Sequence, residues 1–281
     1  RIRIPVSFAW STPGAAFLLT VGEPAGGFSA VAGAFLVCAA LVVLTGLIKP
    51  LARAIAAIPA AIANAMLAGM LLTLCLAPLN AVAEMPWHAL PVIIVWAVSL
   101  RFARRYAVPL AVVAAGIILS TTTHLPAGTF GNAWPALVPV IPTFTIDSII
   151  RIALPLYVVT MASQNLPGLA VMRANGYALR PSPLFAVTGI ASAATAVFGG
   201  VTSNLAAITA AICAGPEAHA DPDRRWPAPV AAGFTYLLLG LAASLAAAFI
   251  AAVPPLLIQA VAGLALFSSL AAALAGALAL E

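Results

Sequence analysis

The sequence predicts an all-α integral membrane protein, built as a bundle of membrane-spanning helices. Hydrophobic residues make up 64% of the 281 residues and charged residues only 7%, whereas about 25% of residues are charged in an ordinary soluble domain. The mean hydropathy is +1.13. Apolar runs at 28–48 and 228–253 reach the length of about 20 residues that a bilayer-crossing helix needs. A water-soluble fold is therefore excluded.

Charged residues, prolines and glycines divide the chain into ten candidate membrane spans. In chain order, these spans cover 7–21, 27–48, 56–80, 88–103, 107–123, 149–171, 183–198, 203–214, 228–251 and 254–280. Polar residues and glycines interrupt two of the segments, at 11–14 and 199–204. Interrupted helices are tolerated in a bilayer only where they face protein or a cavity. We therefore expect two broken half helices inside the bundle.

Basic residues predict how the bundle is oriented. If the loops alternate between the two sides of the membrane, eleven of the twelve Lys and Arg residues fall on one side and only Arg151 falls on the other. Loops rich in Lys and Arg lie in the cytoplasm, so this side is predicted to be cytoplasmic. The net charge of +5 is explained by this orientation, and no nucleic-acid partner is expected.

An internal repeat relates the two interrupted segments. Each combines a Ser/Thr cluster with an alanine-rich half helix, and a Gly, Glu and Pro triplet (22–24 and 215–217) precedes one long apolar span. Residues 58–72 and 253–267 then match with a similar offset. An odd number of crossings separates the copies, so they run in opposite directions through the membrane. Each copy contains spans that the other copy lacks. If both copies are complete in the intact protein, about two further spans are expected at either end, and the ten spans here belong to a bundle of about fourteen.

These segments resemble the benzoate membrane transport protein family, whose members are benzoate/proton symporters distantly related to uracil and nucleobase permeases and to anion transporters. The resemblance rests on residues 4–18, 158–177 and 198–219 and extends over essentially the whole chain. It implies a seven-plus-seven inverted repeat that is divided into a core domain and a gate domain. The substrate would lie between the two half helices of the core.

The resemblance implies that both domains are discontinuous along the chain. The core would comprise 1–48 and 149–251, the gate 49–124 and the truncated segment 252–281, and residues 125–148 would form an extracytoplasmic loop. The implied function is secondary active import of benzoate or a similar aromatic carboxylate across the cytoplasmic (inner) membrane by proton symport. A nucleobase or another small organic or inorganic anion is the alternative substrate on the same fold.

The two helix breaks carry the predicted substrate-binding residues. A carboxylate at mid-bilayer needs compensation for lost hydration, and the free N–H groups and positive dipole end of a helix N-terminus provide it. The candidates at the breaks are Ser11, Thr12, Gly14, Gly200, Thr202, Ser203 and Asn204. The alternative for the hydroxyl residues is that they cap the half helices, and the two roles are compatible.

Two further substrate contacts are predicted at Gln164 and Asn165, which lie together in an otherwise apolar span. Unsatisfied amides are costly there, although polar contacts between helices are the alternative explanation. The resemblance aligns Gln164 or Asn165 with one substrate-contacting glutamate of uracil-type permeases, and Asn204 with another. An amide can donate hydrogen bonds to an anion without repelling it, whereas a carboxylate repels it.

Three aromatic residues near the breaks could stack on a substrate ring: Trp10, Tyr157 and Phe198. Anchoring at the bilayer interface is the alternative for Trp10, and core packing is the alternative for Phe198. The proton carrier has only two candidates, Glu23 and Glu217 at the exits of the half helices. Both could equally be solvated loop carboxylates.

Enzymatic function is not expected, because catalysis needs a positioned base, nucleophile or metal ion and the spans offer only uncharged Ser, Thr, Asn and Gln side chains. Neither catalytic residues nor metal ligands nor a cofactor are predicted. The cysteines at 38, 75 and 213 lie in apolar runs and are interpreted as small packing residues. The expected partners are a small aromatic carboxylate, a coupling proton and the lipid bilayer, and a homodimer is left open.

Overall fold

The computed structural model is mostly helical. It describes residues 3–22, 24–56, 60–122, 135–216, 218–252 and 254–278. The described residues form two compact units, each discontinuous along the chain. The first unit takes its residues from 1–67 and 137–237, and the second from 68–136 and 238–279. The core and gate domains, with the boundaries expected from the sequence, stay a prediction.

The chain begins with a short strand, which the all-helical prediction did not include. Strand β1 (Phe8–Trp10) leads into the half helix α1 (Thr12–Thr20). Helix α2 (Gly27–Leu47) follows, and α3 (Lys49–Ala56) comes directly after it. Helix α3 was not predicted as an element of its own, because its eight residues are far fewer than the roughly 20 that a membrane span needs.

Three long apolar helices come next. They are α4 (Ala60–Glu84), α5 (Pro86–Phe102) and α6 (Ala107–Thr122). Pro86 stands in the first turn of α5, where its missing N–H costs nothing because that donor would have no partner inside the helix. The predicted extracytoplasmic loop lies partly outside the described residues. Its described part, from 135 onwards, has no regular secondary structure and ends where the next helix begins at Ile146.

Helix α7 (Ile146–Ala174) is continuous over 29 residues but contains two π-helical segments, Ile149–Ala153 and Met161–Asn165. Such local widening of a helix is rare and is often found at functional sites. Helix α8 (Pro181–Ala196) follows after a short loop. No periodicity in the sequence signals the π-helical segments, since the apolar pattern around them remains that of an ordinary helix.

The second interrupted segment repeats the strand-to-helix layout of the first. Strand β2 (Ser203–Leu205) leads into the half helix α9 (Ala207–Ala214). The remaining helices are α10 (Pro227–Leu241), α11 (Ala243–Ala252) and α12 (Pro255–Leu278). In the second unit, helices α4 to α6 and α12 supply an apolar core that includes Ala81, Ala89, Leu119, Leu257 and Ala260.

Within the described residues, two helices are long and apolar enough to cross a bilayer by themselves. They are α2, with a mean hydropathy of 2.5, and α7, with a mean hydropathy of 1.5. Shorter apolar stretches occur at Leu71–Glu84, Pro86–Phe102, Ala107–Ser120 and Pro255–Phe267. The helices follow the apolar segments found in the sequence, but the ten spans and the seven-plus-seven inverted repeat stay predictions.

The tightest helix contact of the first unit lies between α2 and α8, where glycine allows close approach. A Cβ atom added at Gly189 would collide with the side chain of Val43 and lie 2.9 Å from the carbonyl oxygen of Ala39. Small residues at such crossings let helix backbones approach closely where apolar burial alone provides little driving force. Gly189 therefore holds α8 against α2 and, through α8, supports β2.

We expect Gly189→Ala to destabilise the protein by about 1–3 kcal/mol, the usual cost of overpacking a filled interior. Gly233→Ala is the matched control, because an added Cβ on Gly233 in α10 meets nothing within 4 Å, and alanine is the better helix former. Thermal unfolding of the detergent-purified variants measures both effects. Equal melting temperatures for the two variants would show that the α2–α8 contact is not tight.

Candidate functional site

The two half helices begin at a shared antiparallel ladder. Strands β1 and β2 pair with Phe8 opposite Leu205, Ala9 opposite Asn204 and Trp10 opposite Ser203. Because the strands are antiparallel, α1 and α9 leave the ladder from opposite ends. At about 3.4 Å per residue, three ladder positions span only ~10 Å. The predicted breaks of the two interrupted segments are thus brought together at one place.

Ser11 caps the first half helix. Its hydroxyl oxygen accepts a hydrogen bond from the N–H of Gly14 at 3.1 Å and another from the Thr160 hydroxyl of α7 at 3.0 Å. Ser11 and Thr160 are both fully buried. The hydroxyl of Ser11 is thereby committed to the cap. The next residue, Thr12, has an exposed side chain, and its N–H finds no acceptor among the described residues.

Helix α7 also holds the start of the second half helix. In its second π-helical segment, the side-chain oxygen of Asn165 accepts from the N–H of Leu205 at 2.9 Å. The side-chain oxygen of Gln164 accepts from the N–H of Ala207 at 3.2 Å. Together with Thr160 on Ser11, these bonds tie one helix to the beginning of both half helices.

The hydrogen bonds of α7 determine the orientation of its amides. A backbone N–H can only donate, so the atom facing Leu205 or Ala207 must be an amide oxygen. The Asn165 amide nitrogen donates to the sulfur of Met161 at 3.1 Å. The Gln164 amide nitrogen meets no acceptor in the described part of the chain. Gln164 therefore keeps two N–H donors available beside the second half helix.

The outer edge of β2 is covered by side chains from two helices. The Ser192 hydroxyl of α8 accepts from the N–H of Ser203 at 2.8 Å, and Asn165 accepts from the N–H of Leu205, two residues further along. An unpaired N–H in an apolar interior would cost about 1–3 kcal/mol. These two side chains remove that cost at both outward-facing donors of the strand.

Two predicted site glycines serve packing and turn geometry. A Cβ on Gly14 would lie 2.6 Å from Leu156 Cδ1 of α7, and a Cβ on Gly200 would lie 2.8 Å from Thr195 Cβ. The N–H of Gly14 is bound by Ser11, and the N–H of Gly200 donates to the carbonyl of Thr195 at 2.9 Å. Neither N–H is free for a ligand.

Thr202 and Asn204 carry polar groups that are buried and unpaired. Both side chains are fully buried, and neither the Thr202 hydroxyl nor either amide atom of Asn204 has a hydrogen-bond partner among the described residues. The thiol of Cys38, a weak hydrogen-bonding group, lies beside Thr202. Residues two apart on a strand share one face, so Thr202 and Asn204 point to the same side while Ser203 points to the other.

The predicted aromatic residues differ in their surroundings. Tyr157 is buried and its hydroxyl bonds to Thr45 of α2, whereas Phe198 is half-exposed. Trp10 is 54% exposed and packs against Tyr236 of α10. The two proton-carrier candidates, Glu23 and Glu217, lie outside the described residues.

Arg225 closes the far end of the second half helix, a role that sequence reasoning missed. The side chain is only 7% exposed and donates to the carbonyl oxygens of Ala214 at 2.6 Å, His219 at 2.7 Å and Ala220 at 3.3 Å. Ala214 ends α9, and a cation is favoured at the negative end of a helix dipole. No sequence signal separates Arg225 from the other loop arginines. Thr160 was also not predicted as a site residue. Its position one helical turn before Gln164 could have indicated it, because residues at this spacing lie on one face of a helix.

Half helices that begin together inside an apolar helical protein are typical of membrane transporters, and this site defines the chain as a membrane transport protein. Residues 1–281 match the sequence model of the family described as benzoate membrane transport protein. The chain belongs to that family, as its sequence predicted. The predicted location in the membrane is also confirmed.

Two curated relatives carry related descriptions. The chain is 41% identical over 281 residues to the inner membrane protein YdcO of Escherichia coli (strain K12), an alignment that covers 98% of this chain and 70% of the relative. It is 34% identical over 274 residues to the benzoate membrane transport protein of Acinetobacter baylyi, covering 96% of this chain and 68% of the relative.

The bracing by α7 is tested by Asn165→Leu, which keeps the approximate size of the side chain and removes the acceptor for the Leu205 N–H. We expect a loss of about 1–3 kcal/mol, because a buried donor is left unpaired. Asn80→Leu in α4 is the control, since Asn80 is exposed. Denaturation of both purified variants measures the effect. An unchanged stability of Asn165→Leu would contradict the bracing role.

Proposed function

We propose that this protein is a secondary active transporter that imports benzoate or a similar aromatic carboxylate with a proton. The carboxylate binds where α1, α9 and α7 meet. One observation carries this placement. Helix α7 holds the first half helix through the Thr160 hydroxyl and the second through the amide oxygens of Gln164 and Asn165, which leaves the N–H donors of Gln164 for a ligand. The membership of the family supports transport of benzoate.

The donors around the ladder suit an anion. Thr12 offers a free backbone N–H, Gln164 offers two amide N–H groups, and Ser203 offers a hydroxyl on the more open face of β2. The positive dipole ends of both half helices add to this attraction. We assign these three residues to the substrate anion, which lies between them: Thr12 and Ser203 are at the end of the ladder where α1 begins, and Gln164 is at the end where α9 begins. Ser11, Gly14, Asn165 and Gly200 hold the backbone in place around them.

We assign Thr202 and Asn204 to a second polar layer, on the face of β2 opposite Ser203. Their unpaired groups lie on the buried face of β2, one residue to either side of Ser203. An amide and a hydroxyl can each donate to an anion without carrying charge themselves. A carboxylate at any of these positions would repel a carboxylate substrate, and the described side chains around the ladder include none.

Proton coupling requires a group that carries the proton, and the described side chains around the ladder include no carboxylate, histidine, lysine or arginine. We therefore assign the proton either to the substrate carboxylate, which can cross as the neutral acid, or to Glu23 or Glu217. A nucleobase remains the alternative substrate. The relative from Acinetobacter is described as a benzoate transporter, which favours the aromatic acid.

Reconstituted full-length protein should take up labelled benzoate, and uptake should rise when the outside is made acidic because the proton gradient then drives symport. Addition of benzoate should also raise the pH of a weakly buffered exterior as protons enter with the substrate. Excess unlabelled benzoate should compete, whereas uracil should not. Competition by uracil alone would transfer the assignment to a nucleobase. Uptake without proton movement would disprove symport.

Gln164→Glu tests the carboxylate site without disturbing the backbone, since a glutamate oxygen can still accept from the N–H of Ala207. We expect benzoate uptake at neutral pH to fall at least tenfold, because the N–H donors are replaced by an anionic oxygen. Uptake should partly recover at acidic pH, where the new carboxyl is protonated and can donate.

The matched control is Gln259→Glu, the same chemical change at an exposed position of α12, which should transport like the unaltered protein. Melting temperatures establish that both variants are folded. Normal uptake by a folded Gln164→Glu variant at neutral pH would remove Gln164 from the site.

A further inference from the structure

Trp10 combines a backbone that is fixed by the ladder with a large side chain that is exposed. Its backbone is fixed by the ladder pair with Ser203, and the following residue, Ser11, donates its N–H to the carbonyl of Thr202 at 3.1 Å. Ser11 is fully buried, whereas Trp10 is 54% exposed. A rigid backbone thus presents an uncovered indole ring at the edge of the proposed carboxylate site.

A second ring stands beside the first. The ring centroids of Trp10 and Tyr236 are 5.7 Å apart, and the ring planes are inclined by 56°. Aromatic pairs prefer such tilted arrangements because the negative face of one ring meets the positive edge of the other. Tyr236 contacts only part of the indole, so the pair can accept a third ring.

The register connects this pair to the carboxylate donors. Trp10 lies opposite Ser203, and paired residues on neighbouring strands project from the same face of the ladder. Thr12, with its free N–H, comes two residues after Trp10. A benzoate whose carboxylate is bound by Ser203 and Thr12 would therefore have its ring close to the indole.

We propose that Trp10 and Tyr236 form an aromatic wall that makes the site selective for planar aromatic carboxylates over saturated ones. This inference rests on the proposed function. A benzoate ring can stack on or tilt against the indole, whereas a cyclohexane ring of similar size has no π-system and gains only apolar contact. The wall thus selects the ring, and the half helices select the carboxylate.

The experiment measures KM and maximal rate of benzoate uptake in proteoliposomes, together with inhibition by cyclohexanecarboxylate. In Trp10→Leu and in Tyr236→Leu, the KM for benzoate should rise roughly three- to tenfold, the range expected for loss of an aromatic pair. Inhibition by cyclohexanecarboxylate should change much less. Trp10→Phe should restore most of the preference for benzoate, because it keeps a ring.

Trp87→Leu is the control for a tryptophan that merely anchors the protein at the bilayer interface, since Trp87 is 87% exposed at the start of α5. It should leave the preference unchanged. A preference that is equally unchanged in Trp10→Leu and Tyr236→Leu, with benzoate uptake intact, overturns the aromatic wall alone. An unaltered protein that neither binds nor transports benzoate overturns the proposed function itself.

Discussion

Backbone hydrogen bonding in an apolar environment is the constraint on which this structure depends. Breaking two helices frees N–H and C=O groups, and inside a bilayer no solvent is at hand to satisfy them. In this chain, the backbone groups of the two breaks form hydrogen bonds with each other in the ladder of β1 and β2. The remaining outward donors of β2 are satisfied by Asn165 and Ser192, and the first N–H of α9 by Gln164. Each break supplies backbone hydrogen-bond donors and acceptors for the groups that the other break leaves free.

This arrangement explains why amides suit α7. An amide has an acceptor end and a donor end, so Gln164 can satisfy the half helix and still face a ligand with N–H groups. A glutamate could satisfy the half helix equally well, but it would present a negative oxygen to the ligand. The same position therefore supports a similar backbone with either residue, and under the proposed function the choice between them decides which ligand charge is accepted.

The sequence was sufficient for most helical segments and for the two breaks, because apolar length and interruption by Ser, Thr, Gly and Asn are local signals. It did not separate α3 or divide the predicted span 228–251 into α10 and α11. It did not predict the ladder between β1 and β2, whose partners are almost 200 residues apart. It left Ser11 and Asn165 open between a structural and a ligand role. Only the contacts with Thr160 and Leu205 show which side-chain atoms already form hydrogen bonds. The residue type alone tells which hydrogen bonds a side chain can form, but not which ones it does form.

The charge of Arg225 at the far end of α9 affects the electrostatic potential at the ladder. Arg225 is buried, forms no ion pair with a described carboxylate and binds the carbonyl that ends the half helix. A helix of eight residues is only about 12 Å long, so the guanidinium neutralises the negative end of the dipole close to the ladder. Among the described residues, no carboxylate lies around the ladder to balance the positive end at Ala207. We propose that this unbalanced positive potential in a low-dielectric interior favours an anionic substrate before any side chain contacts it.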